Sequence, residues 1–204
     1  MKIPSTQGYP ETAEALVPIY ESRGYIDVHR QVAHLFPKAP GTVLDIGAGT
    51  GRDAAGFAAI GHKVIAVEPV DEFRLPAARR HPDPAIEWVD DCLPHLSKIA
   101  GRAKQFDLII MTAVWMHLDA TERKLALPII TSLLKPEASL VLTLRHGPVP
   151  AGRRMFNVTA SETIALAKTC GLAPTLCLLD QASSGNQPDV TWTKLAFAQS
   201  NALA

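Results

Sequence analysis

The sequence predicts an α/β fold three layers deep, with helices on both faces of a mostly parallel sheet. Three observations lead to it. Short apolar runs alternate with segments of helical spacing, as successive βαβ units require. One run, Phe106-Asp107-Leu108-Ile109-Ile110-Met111, is almost unbroken, which marks a strand covered on both faces. Finally, an apolar strand carrying an acid leads into three glycines spaced by two and then a helix, over Val43-Leu44-Asp45-Ile46-Gly47-Ala48-Gly49-Thr50-Gly51-Arg52-Asp53.

The elements follow in order. Glu11 to Ser22 and Ile26 to Phe36 read as two helices, ended by Arg23-Gly24 and by Pro37. On the second, Tyr25, His29, Val32 and Phe36 recur at spacings of four, three and four and share a face. The first strand spans Thr42 to Ile46. The helix after the glycines carries Ala54, Ala55, Gly56, Ala58 and Ala59, small enough to pack closely on a sheet, and Gly61 stops it. A second strand, His62 to Glu68, a helix from Asp71 to Arg80 and a strand from Ala85 to Val89 complete the first two crossovers. After Phe106 to Met111 comes a helix over Thr121 to Leu134, bent at Pro128, with Lys135-Pro136-Glu137 as a turn and Ser139 to Leu144 as a strand. The loop onward to Asn157 contains Pro148, Pro150 and Gly152 and reads as a mobile lid, with Arg153 and Arg154 on a solvated face. A helix over Ser161 to Thr169 and strands over Leu172 to Leu179 and Val190 to Ala198 close the chain, with an exposed polar hairpin loop from Asp180 to Asp189. Residues 1–40 are expected to form a helical cover belonging to the same domain as a core over 41–204.

The glycine turn suits a nucleotide-like ligand. A glycine has no Cβ, so the backbone can approach a bound molecule and take up φ values barred to other residues. Seventeen residues past Gly51, at the end of the second apolar run, stands Glu68, an acid able to accept two ribose hydroxyls. The G-x-G-x-G spacing departs from the dinucleotide frame G-x-G-x-x-G, whose last position here is Arg52. With these residues in order, the chain from about Val43 to Phe197 resembles the class I S-adenosylmethionine (SAM) dependent methyltransferases.

That resemblance implies a Rossmann-like, seven-stranded mixed sheet with its last strand antiparallel, and SAM as cofactor, released as S-adenosylhomocysteine. It implies that Asp45, Gly47, Ala48, Gly49 and Gly51 support the amino-acid end of SAM and that Glu68 and Pro69 hold the ribose. The polar turn Asp90-Asp91-Cys92-Leu93-Pro94 would meet the adenine, with Asp91 preferred over Asp90 for its amino group and the Cys92 amide at the ring. Thr112 opens the loop beside the methyl group.

Acceptor-side candidates come from what the chemistry needs. Methyl transfer is an in-line displacement, so the protein positions a nucleophile, excludes water and, where the nucleophile starts protonated, supplies a base. His117, Arg145 and His146 lie on loops expected at that edge as catalytic candidates. Arg145 also ends an alternating strand as a long cation able to clamp a carboxylate or phosphate. Tyr20, Tyr25 and His29 from the cover, with Trp115, are candidate acceptor-binding residues.

Composition narrows the acceptor. The 204-residue chain has 20 basic and 20 acidic residues, so no global field draws it toward nucleic acid. No [Asn/Asp/Ser]-Pro-Pro-[Tyr/Phe] tetrapeptide follows the fourth strand, where Met111-Thr112-Ala113-Val114 stands instead. A small-molecule acceptor methylated at oxygen or nitrogen is expected, with no nucleic-acid partner and no metal. Cys92, Cys170 and Cys177 lack metal-ligand spacing and fit a reducing, cytoplasmic setting. No apolar leader or membrane span is read, and a monomer or homodimer is expected. Two other readings stay open: a SAM-binding sensor or partner subunit without catalysis, and a nicotinamide-dependent oxidoreductase.

Overall fold

The computed structural model describes residues 3–183 and 188–200. Seven strands form one sheet in the order β3-β2-β1-β4-β5-β7-β6. They are β1 (Thr42–Ile46), β2 (Lys63–Val67), β3 (Ile86–Val89), β4 (Phe106–Met111), β5 (Leu134–His146), β6 (Leu172–Ala182) and β7 (Thr191–Gln199). The pairings from β3 through β5 are parallel, and β7 runs antiparallel to both β5 and β6. Successive side chains of a strand face opposite ways, which splits the core in two. Leu44, Ile46, Ile109 and Met111 join Leu127 and Ile130 of α5 (Ala120–Leu133) on one face, with Ala167 of α6 (Ala160–Thr169). Val43, Leu108 and Ile110 join Ala54 and Phe57 of α3 (Arg52–Ala59) on the other.

A third, smaller core fastens the N-terminal segment. Ala13, on α1 (Ala13–Glu21), packs with Val70 and with Phe73 of α4 (Asp71–Arg80), and Tyr9, Leu16, Val17 and Tyr20 close around them. The segment is thereby held at the edge where β1, β2 and β4 deliver their C-terminal ends, the usual ligand edge of such sheets.

Three local expectations are corrected. The helix read over Ile26 to Phe36 is only α2 (Tyr25–His29), followed by a 3-10 turn at Ala33–Leu35. Tertiary packing decides this: His29, Val32 and Phe36 are all buried against α3, and the break lets each reach it. The turn read at Lys135-Pro136-Glu137 belongs to β5, because Leu134 already pairs with Phe106 before the register shifts. The loop after β5 is tied down rather than free. Arg153 Nη2 donates to Thr12 Oγ1 at 2.6 Å, the Phe156 amide donates to Met116 O at 2.9 Å, and Arg154 ion-pairs with Asp119 and Glu122. Arg153 and Arg154 are thus half-buried, not a solvated face. Of the hairpin loop expected over 180–189, residues 180–182 instead extend β6, where Gln181 and Ala182 pair with Trp192 and Thr191, and residues 184–187 lie outside the described residues.

Candidate functional site

The glycine turn is stitched to the end of β2. The amides of Gly47 and Ala48 both donate to Val67 O, and the Gly49 amide donates to Glu68 Oε2 at 2.7 Å. The other Glu68 oxygen accepts the Val70 amide at 2.9 Å. A carboxylate offers about four lone-pair sites, so each oxygen keeps one for a further donor. Burial pushes this carboxyl up to about 7, against the lowering effect of the Val70 and Gly49 amides.

The three glycines differ in why they are glycine. A Cβ on Gly47 would meet Val114 at 2.5 Å, and one on Gly51 would meet Trp88 at 2.6 Å. Gly49, at φ +56°, has nothing within 4 Å of that position. Two glycines therefore serve packing, and the third opens onto free space beside Glu68. That opening, with a buried carboxylate at its wall, fits a nucleoside cofactor.

Beneath the turn lies a buried polar network. Asp53 Oδ2 sits 2.9 Å from His29 Nε2 and accepts from Thr112 Oγ1 at 2.9 Å, while Arg52 Nε donates to Oδ1 at 2.8 Å. Burial works against the Asp53 charge, yet His29 and Arg52 hold its carboxyl below the usual range. Asp45, 1% exposed, is the opposite case, since burial and then the Asp53 charge drive it well above its ordinary value. Its Oδ2 has no partner among the described residues.

At the turn after β3 the two acids part company. Asp91 is buried and its oxygens accept the Cys92 and Lys98 amides at 2.8 and 2.7 Å. Asp90 is exposed and lies 3.4 Å from both Arg74 and Lys98. Pro69, Ala48 and Cys92 are partly open to solvent.

His117 is buried with both ring nitrogens engaged. Nδ1 lies 2.7 Å from Arg154 O, and Nε2 lies 2.9 Å from the Tyr9 hydroxyl. A carbonyl can only accept, so Nδ1 carries the proton and Nε2 accepts from Tyr9. Burial lowers the His117 pKa, and Arg153, Arg154 and Arg145 add to that, so the ring is neutral. Burial raises the Tyr9 phenol, as does neighbouring Tyr20. Tyr20 in turn stacks on Phe73.

The structure gathers Tyr20 and His117 with Tyr9 and leaves other candidates elsewhere. Tyr25 packs edge-on to Phe57 and covers Gly56 on α3, and His29 is committed to Asp53. Trp115 is fully buried in the core, with no open face for an acceptor. His146 Nε2 bonds Thr193 Oγ1 of β7 at 2.9 Å, and Arg145 Nη1 donates to Pro148 O at 2.8 Å. Sequence reasoning missed Tyr9. Its only signal was the short Gly8-Tyr9-Pro10 turn, while its partner lies 108 residues away.

A 3-2-1-4-5-7-6 sheet with a glycine cradle and a buried acid after β2 defines a protein of the Rossmann-like, SAM-dependent methyltransferase class. A family described as a methyltransferase domain matches residues 20–164, and the chain belongs to that family. An uncharacterized methyltransferase of Alkaliphilus oremlandii (strain OhILAs) is 30% identical over 111 residues, covering 52% of this chain and 46% of that protein. The chain thus spans about half the length of this curated relative. Among solved structures, a TehB-like SAM-dependent methyltransferase from Corynebacterium glutamicum superposes with a TM-score of 0.68 at 19% identity, covering 93% of this chain and 99% of that one. The 1,6-didemethyltoxoflavin-N1-methyltransferase of Burkholderia thailandensis, solved with 1,6-didemethyltoxoflavin and S-adenosylhomocysteine, gives 0.64 at 21% identity over 98% and 91% of the two chains.

Proposed function

We infer that the chain transfers a methyl group from SAM to an oxygen or nitrogen of a small molecule. The open Cα face of Gly49 beside the buried Glu68 carboxylate carries this reading. Bound SAM supplies a methyl group activated on a sulfonium. Gly49 leaves room for the ligand's amino-acid end, and Glu68 Oε1 and Oε2 each keep a lone pair for a ribose hydroxyl. Asp91, each of whose oxygens holds one backbone amide and keeps a lone pair as Glu68 does, would accept the adenine amino group, while exposed Asp90 is engaged with Arg74 and Lys98. His117 reaches an acceptor only through Tyr9: a protonated nucleophile would give its proton to Tyr9 Oη as Tyr9 passes its own to His117 Nε2. Tyr20, beside Phe73, would wall the same space.

The cover over 1–40 and the core over 41–204 work as one unit in this reading, as monomer or homodimer in the cytoplasm. No helix among the described residues is long and apolar enough to cross a membrane, and the three cysteines are free. The test is melting with SAM, S-adenosylhomocysteine or NAD, followed by product detection with methyl-labelled SAM over an acceptor panel. Stabilisation by both sulfur compounds with label transfer is expected. Stabilisation by NAD alone would replace this reading with the oxidoreductase, and binding without turnover would leave the sensor.

A further inference from the structure

The acceptor side holds more positive charge than its own residues neutralise. Of the three arginines that bear on His117, Arg154 is fully answered: its guanidinium lies 2.9 Å from Asp119 Oδ2 and 2.7 Å from Glu122 Oε2. Arg145 donates only to the neutral Pro148 carbonyl. Arg153 donates Nη2 to Thr12 Oγ1, and its Cζ lies 3.5 Å from the centroid of the Tyr9 ring. Its Nη1 is shut away from solvent with no partner among the described residues. Neither Arg145 nor Arg153 has a carboxylate within ion-pair distance among those residues, although both are half-buried.

A guanidinium nitrogen taken out of water and left unbonded costs free energy that an incoming oxyanion would recover. The planar fork of arginine suits two oxygens of a carboxylate or phosphate. Tyr9 stands beside it: its hydroxyl donates to His117, so the phenol oxygen keeps a lone pair as an acceptor for an N–H or O–H.

We propose that the methyl acceptor bears an anionic carboxylate or phosphate group seated on Arg153, and that Arg153 is the residue that selects for that charge. The proposal rests on the methyltransferase reading above. Carboxylate and phosphate share the same recognition chemistry, and two probe pairs separate them: 4-hydroxybenzoate with 4-hydroxybenzamide, and phenyl phosphate with phenol.

Each probe is titrated calorimetrically into protein saturated with S-adenosylhomocysteine. At least one anion should bind about ten- to a hundred-fold more tightly than its neutral twin, the range of a charged hydrogen-bonded contact. Arg153→Met should erase that preference and leave the neutral probes unchanged, whereas Arg153→Lys should retain part of it. No preference for either anion in the wild type, or a preference that survives Arg153→Met, overturns the proposal. Should Arg153→Met lose its circular dichroism, Arg153→Lys decides, because a point charge cannot reproduce the fork and an unchanged preference would again refute the seat. Failure of S-adenosylhomocysteine itself to bind strikes the cofactor reading instead, and the anion seat is then read with the same probes in the ligand-free protein.

Discussion

At Gly49 the main chain turns through φ +56° beside open space, whereas the same freedom at Gly47 serves contact with Val114. A side chain at position 49 therefore costs the fold only backbone strain, on the order of 1–2 kcal/mol, while filling the cradle. Gly49→Val should stay folded by circular dichroism and lose S-adenosylhomocysteine binding in calorimetry; retained affinity would move the ligand elsewhere. Glu68 makes a second prediction. Its folded carboxyl titrates near 7 against an ordinary 4.5, so between those values the folded state holds a proton that the unfolded chain has released. Stability must then fall as pH rises through that window, by up to roughly 3 kcal/mol, and level off above it. Urea unfolding of the wild type and Glu68→Gln across pH 5 to 8 should show the wild type losing stability relative to the variant as pH rises, because glutamine stays neutral throughout. Glycines and acids on contiguous β-α units could be read from the sequence, because their spacing is local. The pairing of Tyr9 with His117 could not, since only the folded sheet brings them together.

The same division holds among elements. The bounds of β1, β4 and α4 were legible to the residue, the two strands being mainly apolar runs that each carry one acid and the helix being bounded by Val70 and His81. The segment after Tyr25 was misread as one long helix although its apolar positions were identified correctly. Its aromatic residues converge on Phe57, which is wholly buried among Tyr25, His29, Phe36 and His62. Phe57→Ala should cost about 3–5 kcal/mol, lowering the melting temperature by roughly 6 to 20 °C and loosening α2 first in hydrogen exchange. The N-terminal segment gives a different test. A Cβ at Gly8 would lie 2.6 Å from Gly152 O, so Gly8→Ala should speed exchange in residues 5–12 and 150–156 together and leave β4 unchanged. Independent behaviour of the two segments would show that they are not clasped.

Taken as a whole, the molecule places its glycine turn, the Asp90-Asp91 turn and His117 at one edge of the sheet, and the remaining layers support that edge. A ligand bound there stabilises every layer at once. At a hundred times its dissociation constant, S-adenosylhomocysteine should add about 2.7 kcal/mol, a rise of roughly 5 to 11 °C in melting temperature. A smaller shift at saturation would mean that part of the sheet unfolds independently of the site. The position of β7 has a consequence of another kind. It is inserted between β5 and β6, yet it is the last strand to be made, so a chain emerging from the ribosome exposes the outer rim of β5 until residues 191–199 arrive. That rim is rich in leucine and valine, with unpaired amides available to any neighbouring strand. Protein synthesised slowly or stopped early should therefore depend on chaperones far more than the finished molecule does.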